Sequence, residues 1–560
     1  MTRLPFRVLY REFLFRLVDL ELIAPQGDIT RLLGQFTGLL LFLSSVRALG
    51  GLFFDSRGMS EAALRSALWG HEHSLIAMTM LVVGLFAVLS WDSAFPDRRD
   101  LLVLLPLPLA TRTIFLAKLA ALGSALGLTV AALNSCTGLI FPLHFAPAGS
   151  GLLGVMRAMA AYWVTMFAAG AFVFLSLLTV QGIAAQLPRW LFLRLSSWLQ
   201  MMALGLVLGV SLTQPSPETA MRGDRLLWWP SYWFLGLFQQ WNGSMRPEMA
   251  ALAGRAWLAC AAAIGGAGGV FLLAYFRTLR KIVEQPDILP AVAGWRWPLP
   301  FQRGIKAAIT YFSVRTLLRS RQHRVILAFY LGAAFTAVIG LTKLAFPART
   351  LSQRLPDPLL LASFLLMLLW VVGTRVVFAM PLELRANWIF RITVVGERAA
   401  CLAASRRSLV LLSLVPAWGI SAALLLWRFP WRIVAGHMVV LGLVGTILAD
   451  LSMHGFPKIP FTCSYLPGKS RVHLIFLGGA ILINGVPPAL RFEMRALEDR
   501  AAYWQMLLVL LAAAGGARWW AWRLTRSQET EVRYEEEESP AIFALDLRKD
   551  GVREINRGTS

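Results

Sequence analysis

Residues able to do chemistry are sparse in this 560-residue chain. "HEHSL" (71–75) looks like a metalloprotease box, but Leu75 stands where the second histidine ligand belongs. His71 and His73 fall near a span boundary and are read as solvated polar residues. "GKS" at Gly468-Lys469-Ser470 ends like a phosphate-cradling loop, yet Cys463 replaces the required first glycine and no buried strand precedes it. No serine sits in GxSxG, and no other nucleophile constellation is visible. Cys136, Cys260, Cys401 and Cys463 form no CxxC pair, so neither a disulfide framework nor a zinc site is expected. The expectation is a chain that is not itself an enzyme, with no catalytic, cofactor-binding or metal-binding residue.

One segment is built differently. "DRRDLLVLLPLPLATR" (97–112) opens with four consecutive charges, Asp97, Arg98, Arg99 and Asp100. An apolar run broken by Pro106 and Pro108 follows, then Arg112 and, further on, Lys118. Proline lacks a backbone N–H and interrupts helices, so the flanking helices stay separate. A hinge with charges on one side and leucines on the other suits docking of a soluble partner. A second connection, 381–407, is also rich in charge and aromatics and offers Glu383, Arg385, Asn387, Trp388 and Arg391.

The elements around these segments are apolar. The chain is 57% hydrophobic and 15% charged, against roughly a quarter charged in soluble proteins. Apolar windows of about 20 residues, long enough to cross a bilayer core, recur along it. The fold class is therefore all-α: a polytopic membrane protein with about twelve transmembrane helices in two six-helix halves. The first six spans are expected near 32–54, 74–91, 114–141, 158–182, 195–213 and 253–276. The second six are expected near 325–346, 358–380, 408–427, 433–453, 473–490 and 503–522. The domain plan is an amphipathic segment 1–31, a first half 32–276, a basic linker 277–324, a second half 325–522 and a polar tail 523–560.

A net charge of +23 fits positively charged loops on the cytoplasmic side better than nucleic-acid binding. With both termini cytoplasmic, inside segments hold about 35 basic residues and outside loops about 13. Residues 1–31 carry five arginines and no clean apolar core, unlike a cleaved signal. Within them, 5–24 is expected to lie as an amphipathic helix in the interface. "LLWWPSYWFLGLFQQW" (226–241) reads as aromatic anchoring at the headgroup level, with short helices broken at Pro230. Arg47, Lys343, Arg375 and Asp450 fall towards span ends, where headgroups can satisfy them, and no proton relay can be traced. Asn134 and Asn484 read as helix–helix glue, and Gly265 and Gly269 as a close-packing face. The acidic run 535–538 reads as part of a solvated tail.

Residues 97–122, "DRRDLLVLLPLPLATRTIFLAKLAAL", resemble the region after the second span of ABC-2-type exporter permeases. The matching positions are Asp97, Arg98, Leu104, Pro106, Pro108, Arg112 and Lys118. That family also has an amphipathic helix before its first span, six spans per unit and short outer helices between spans five and six. The resemblance implies that Asp97 to Arg112 is a coupling contact for a separate ATP-binding cassette subunit. It implies that ATP and Mg bind that partner, with no cofactor in this chain. It further implies a bacterial inner-membrane exporter of a hydrophobic or amphipathic substrate. Twelve spans imply two fused units, with a second copy of the chain as the other way to complete a pathway. The second half lacks the "PLPL" step, so 381–407 is a second coupling contact or a degenerate one. A non-transporting membrane scaffold and an ion-coupled carrier are the alternatives.

Overall fold

A computed structural model describes residues 3–18, 29–52, 60–94, 104, 107, 109–146, 151–212, 214–215, 228–244, 246–284, 304–345, 358–381, 390, 398–453, 456, 458–462, 486, 488–527, 543–546 and 551–554. These residues are predominantly helical. Eight helices combine the length and hydropathy needed to cross a membrane: Ser66–Leu89, Arg112–Asn134, Gly151–Ala185, Pro247–Leu273, Gln322–Leu341, Pro358–Phe378, Ala400–Leu426 and Trp431–Ser452. The chain is a multi-pass α-helical membrane protein. Of the twelve expected spans, the first and fifth have shorter apolar stretches, Phe36–Leu49 and Trp198–Ser211. The eleventh lies mostly outside the described residues, as do Asn484, the GKS sequence and the acidic run. The twelfth falls in a long helix that is not one of the eight.

The chain divides into two compact units: the first takes Met1–Arg296 with Phe335–Lys343 and Leu466–Ser470, and the second takes Trp297–Ala334, Leu344–Tyr465 and Arg471–Ser560. The first unit contains α1 (Arg3–Val18), α2 (Ile29–Leu52), α3 (Glu61–Leu89), α4 (Trp91–Ala94), α5 (Thr111–Asn134), α6 (Thr137–Phe145), α7 (Gly151–Ala185), α8 (Arg189–Leu212), α9 (Pro230–Trp241) and α10 (Pro247–Glu284). In α1, Leu9, Phe13 and Leu17 recur every fourth residue and are buried, while Arg7, Val8, Arg11 and Glu12 are exposed. The buried stripe packs on α5, and Tyr10 Oη donates to Ser124 Oγ at 3.0 Å.

The third expected span ends early. Helix α5 stops at Asn134, and α6 restarts at Thr137 after the Ser135–Cys136 turn. The restart leaves N–H groups without intrahelical acceptors. Ser44 Oγ of α2 accepts two of them, from Cys136 at 3.0 Å and Thr137 at 3.3 Å. Ser44→Ala leaves both donors buried without that acceptor, and a loss of about 1–3 kcal/mol is expected in thermal unfolding of the purified chain. Beside the break, Asn134 Nδ2 donates to Thr79 Oγ1 of α3 and Asn134 Oδ1 accepts from the Tyr162 hydroxyl of α7, whose oxygen also lies 2.9 Å from Thr137 Oγ1. Four helices are tied at one buried point.

Pro230 begins α9 rather than breaking a helix pair, since its missing N–H costs nothing at a first turn. The aromatic run splits by face: Tyr232, Phe234 and Phe238 are buried, whereas Trp228 is 82% exposed. Burial pushes the Tyr232 hydroxyl pKa up, and that hydroxyl donates to Pro215 O at 2.7 Å. Gly236 meets α10 at backbone distance: a Cβ there would lie 2.4 Å from Leu252 Cβ and 2.8 Å from Met249 O. The expected close-packing pair of α10 is not one. Gly265 and Gly269 face open space, and the close approach is at Gly266, whose Cβ would meet Thr179 of α7 at 3.2 Å.

The second unit contains α11 (Ile305–Arg319), most of α12 (Arg321–Ala345, without Phe335–Lys343), α13 (Pro358–Phe378), α14 (Arg398–Leu409), α15 (Val415–Leu426), α16 (Trp431–Ser452), α17 (488–498) and α18 (Arg500–Ser527). A π-helical turn, Val410–Leu414, joins α14 to α15, and Val415 N–H bonds Val410 O. Pro416 follows at once; its ring would clash with the carbonyl four residues back, and the widened turn absorbs it. Past α18, β1 (Phe543–Asp546) and β2 (Gly551–Glu554) form a two-stranded antiparallel hairpin, so the tail departs from the all-α expectation.

Candidate functional site

Of the residues expected to contact a partner, Asp97, Arg98, Arg99, Asp100, Pro106 and Pro108 lie outside the described residues. Arg112 is exposed in the first turn of α5. The frame that holds this segment is defined. At its N-terminal end Trp91 is buried, and its indole N–H donates to Ser196 Oγ of α8 at 3.2 Å. Gln181 of α7 donates to Trp91 O, and Gln200 of α8 donates to Val88 O at 2.8 Å. At the other end Leu104 and Leu109 pack against the unit's core, while Leu107 between them is 47% exposed. Buried Lys118 of α5 sits over the Phe13 ring of α1, 4.7 Å from its centre. Phe13→Ala removes both the ring under Lys118 and the middle of the α1 stripe, worth about 3 kcal/mol in a well-packed site. Trypsin cleavage at exposed Arg7 and Arg11 is then expected to speed up more than tenfold.

Glu383, Arg385, Asn387, Trp388 and Arg391 also lie outside the described residues. Their frame is again defined. His323 Nε2 of α12 donates to Met380 O at 3.1 Å just past α13, and Ser320 Oγ lies 2.5 Å from His323 Nδ1. Phe461 N–H bonds Phe378 O at 3.0 Å, and its ring packs edge-on to Phe378, Phe312 and His323. Phe461 holds φ at +65°, a left-handed conformation that costs a bulky residue of order 1–3 kcal/mol and is held here by packing. Phe312 also meets Phe390, and Ile309 clusters with Cys401 and Ala404 of α14.

The two frames repeat one arrangement. In each unit a short helix precedes the first long apolar helix and packs on the helix that follows the charged segment: α1 on α5, and α11 on α14. Helix α11 falls inside the expected basic linker 277–324 because its basic residues, Lys306, Arg315 and Arg319, hide its apolar stripe.

Three ionisable groups expected to meet headgroups, Asp450, Arg375 and Arg47, have protein partners instead. Asp450 is bound by Arg406, which also bonds it through Nη2 at 2.9 Å, and Arg518 lies 3.4 Å away. Arg375 donates to Ser452 O at 2.7 Å and stacks over Phe456. In the first unit, Arg47 donates to Ser74 Oγ at 2.6 Å. The side chain of Lys343 lies outside the described residues. His73 is buried rather than solvated; it stacks on Tyr232 and bonds Ser231 Oγ at 3.0 Å. Glu72 is buried beside it and accepts from Gln239 Nε2 at 2.5 Å, so the HEH run fastens α9 to α3.

One cluster escaped sequence reasoning altogether. In the second unit His437 of α16 places Nε2 2.8 Å from Ser363 Oγ of α13, and Nδ1 2.7 Å from Glu493 Oε1 of α17. All three side chains are buried. His437 and Glu493 line a cavity of about 570 Å³ that is otherwise walled largely by apolar side chains, among them Val440, Leu490, Met506 and Val509. The order serine–histidine–carboxylate matches a hydrolase triad, but the geometry does not serve one. Ser363 is fully buried, its hydroxyl donates to Leu360 O at 2.7 Å, and Phe364 rather than Ser363 faces the cavity. The three residues share no motif; the available signal was a single histidine inside an apolar span.

Comparison of the chain with protein-family models, curated proteins and solved structures gives no match.

Proposed function

We propose that this chain is the transmembrane permease subunit of an exporter driven by a separate ATP-binding cassette subunit. Both units would be permease-like, both termini cytoplasmic, and the site of action the bacterial inner membrane. ATP and Mg would bind the partner, and the cargo would be hydrophobic or amphipathic. The observation that carries this reading is the repeated frame, α1 on α5 and α11 on α14. A partner pressing on 97–112 would move α5 together with α1, because Phe13 and Lys118 join them. The same push would reach α7 and α8 through Trp91.

Purification of the chain from its native membrane tests this. A nucleotide-binding subunit is expected to accompany the parent and to be lost from the Asp97→Ala, Arg98→Ala, Arg99→Ala variant. A folded parent that brings no nucleotide-binding protein removes the motor from the account. The second reading, an ion-coupled carrier, is favoured by the buried His437–Glu493 pair. It requires transport into vesicles that follows a proton gradient without nucleotide.

A further inference from the structure

The hydrogens of the Ser363–His437–Glu493 chain can be assigned by elimination. A hydroxyl has one hydrogen, and Leu360 O, 2.7 Å away, can only accept it. The contact between Ser363 Oγ and His437 Nε2 is then a bond donated by Nε2–H. The 2.7 Å contact between Nδ1 and Glu493 Oε1 needs one more hydrogen, on either the ring or the carboxyl. Both placements give the pair the same two protons and no net charge. Losing one of them would leave an uncompensated negative charge among apolar side chains, a state of high cost.

Among the described residues, no neighbouring cation offsets that charge at close range. Of the helices packed on α16, α13 contributes Ser363, and its charged residue, Arg375, lies about three turns further on. Helix α15 and the π-helical turn carry no charged residue. Helix α14 brings Arg398, Arg406 and Arg407, and of these Arg406 binds Asp450, roughly 20 Å from His437 along α16. Arg432 stands over one turn before His437 on α16 and is exposed. Helix α18 contributes Tyr503, whose hydroxyl donates to Gly436 O at 3.1 Å; its Arg500 is exposed and its Arg518 is at Asp450. On α17 itself, Arg491, Arg495 and Glu498 are exposed.

We propose that His437 and Glu493 form a proton-binding site that exchanges its proton for a monovalent lipophilic cation seated in the adjoining cavity. The exchange keeps the buried site neutral: one proton leaves to water as one positive charge enters. A volume of about 570 Å³ is that of a drug-sized pocket, and its apolar walls suit the hydrophobic body of such a cation. An anion would meet the carboxylate, and a neutral lipid chain would leave the proton in place. The inference holds whether ATP or an ion gradient drives the chain, since it concerns binding alone.

The test uses the purified full chain without any ATP-binding partner and tetraphenylphosphonium as the probe. Affinity is expected to rise by up to tenfold per pH unit over the range in which the proton competes, then level off. In weakly buffered solution about one proton is expected to appear per cation bound, a count that needs no variant. Glu493→Gln should abolish both the binding and the proton release, while triphenylphosphine oxide, which is neutral, should release none. Binding that is independent of pH and releases no proton overturns the exchange. So does equal binding by Glu493→Gln, or absence of binding at every pH.

Discussion

Replacing His437 by leucine is expected to destabilise the second unit by about 3–5 kcal/mol, the range for removing one partner of a buried ionic pair. Glu493 would keep its carboxyl group at a 4% exposed position after losing the ring nitrogen 2.7 Å away. Glu493→Leu should cost less, because a histidine can stay neutral and keep its contact with Ser363 Oγ. The double variant, His437→Leu with Glu493→Leu, should be more stable than His437→Leu alone, since it removes the buried carboxyl group left without its partner. Thermal unfolding of the four purified proteins checks the pattern. Strictly additive losses would mean that the two side chains do not share a proton.

Gly236→Ala is the second large effect. The new methyl would meet Leu252 Cβ at 2.4 Å, Met249 O at 2.8 Å and Ala253 N at 2.9 Å, and two of these three are backbone atoms. No rotamer change relieves that overlap, so α9 must move off α10. Overpacking of this kind costs about 1–3 kcal/mol and more where backbone is involved. The controls are Gly265→Ala and Gly269→Ala, which meet nothing within 4 Å and should leave stability unchanged or slightly raised. Loss of the Gly236→Ala protein from the membrane fraction, with both controls at parental level, is the expected result.

Much of the helical architecture is legible because hydrophobic runs of membrane length have few other uses. Eight apolar helices coincide with expected spans, and the amphipathic stripe Leu9–Phe13–Leu17 is plain in the sequence. What sequence reading missed depends on partners distant in the chain. Asp450 looked like a span-end charge because its partners Arg406 and Arg518 are 44 and 68 residues away. Gly265 and Gly269 have the spacing of a packing face, but spacing does not reveal which side of α10 meets a neighbour, and Gly266 does so. The break at Ser135–Cys136 has no proline or glycine to announce it; Ser44, 92 residues earlier, supplies the acceptor that makes it tolerable. His437 and Glu493 follow the same rule, since their meaning lies in the 2.7 Å between them.

Cross-linking at Leu107 tests the central claim most directly. This residue is 47% exposed within the proposed coupling segment, between Leu104 and Leu109, which pack on the core. With a photoreactive phenylalanine in its place, irradiated native membranes should yield an adduct to an ATP-binding subunit, and ATP should change its yield. The same probe at Trp228, 82% exposed at the start of α9, should yield none. An adduct to that subunit from both positions or from Trp228 alone, or only lipid adducts from Leu107, would contradict the account of this chain as a nucleotide-driven permease.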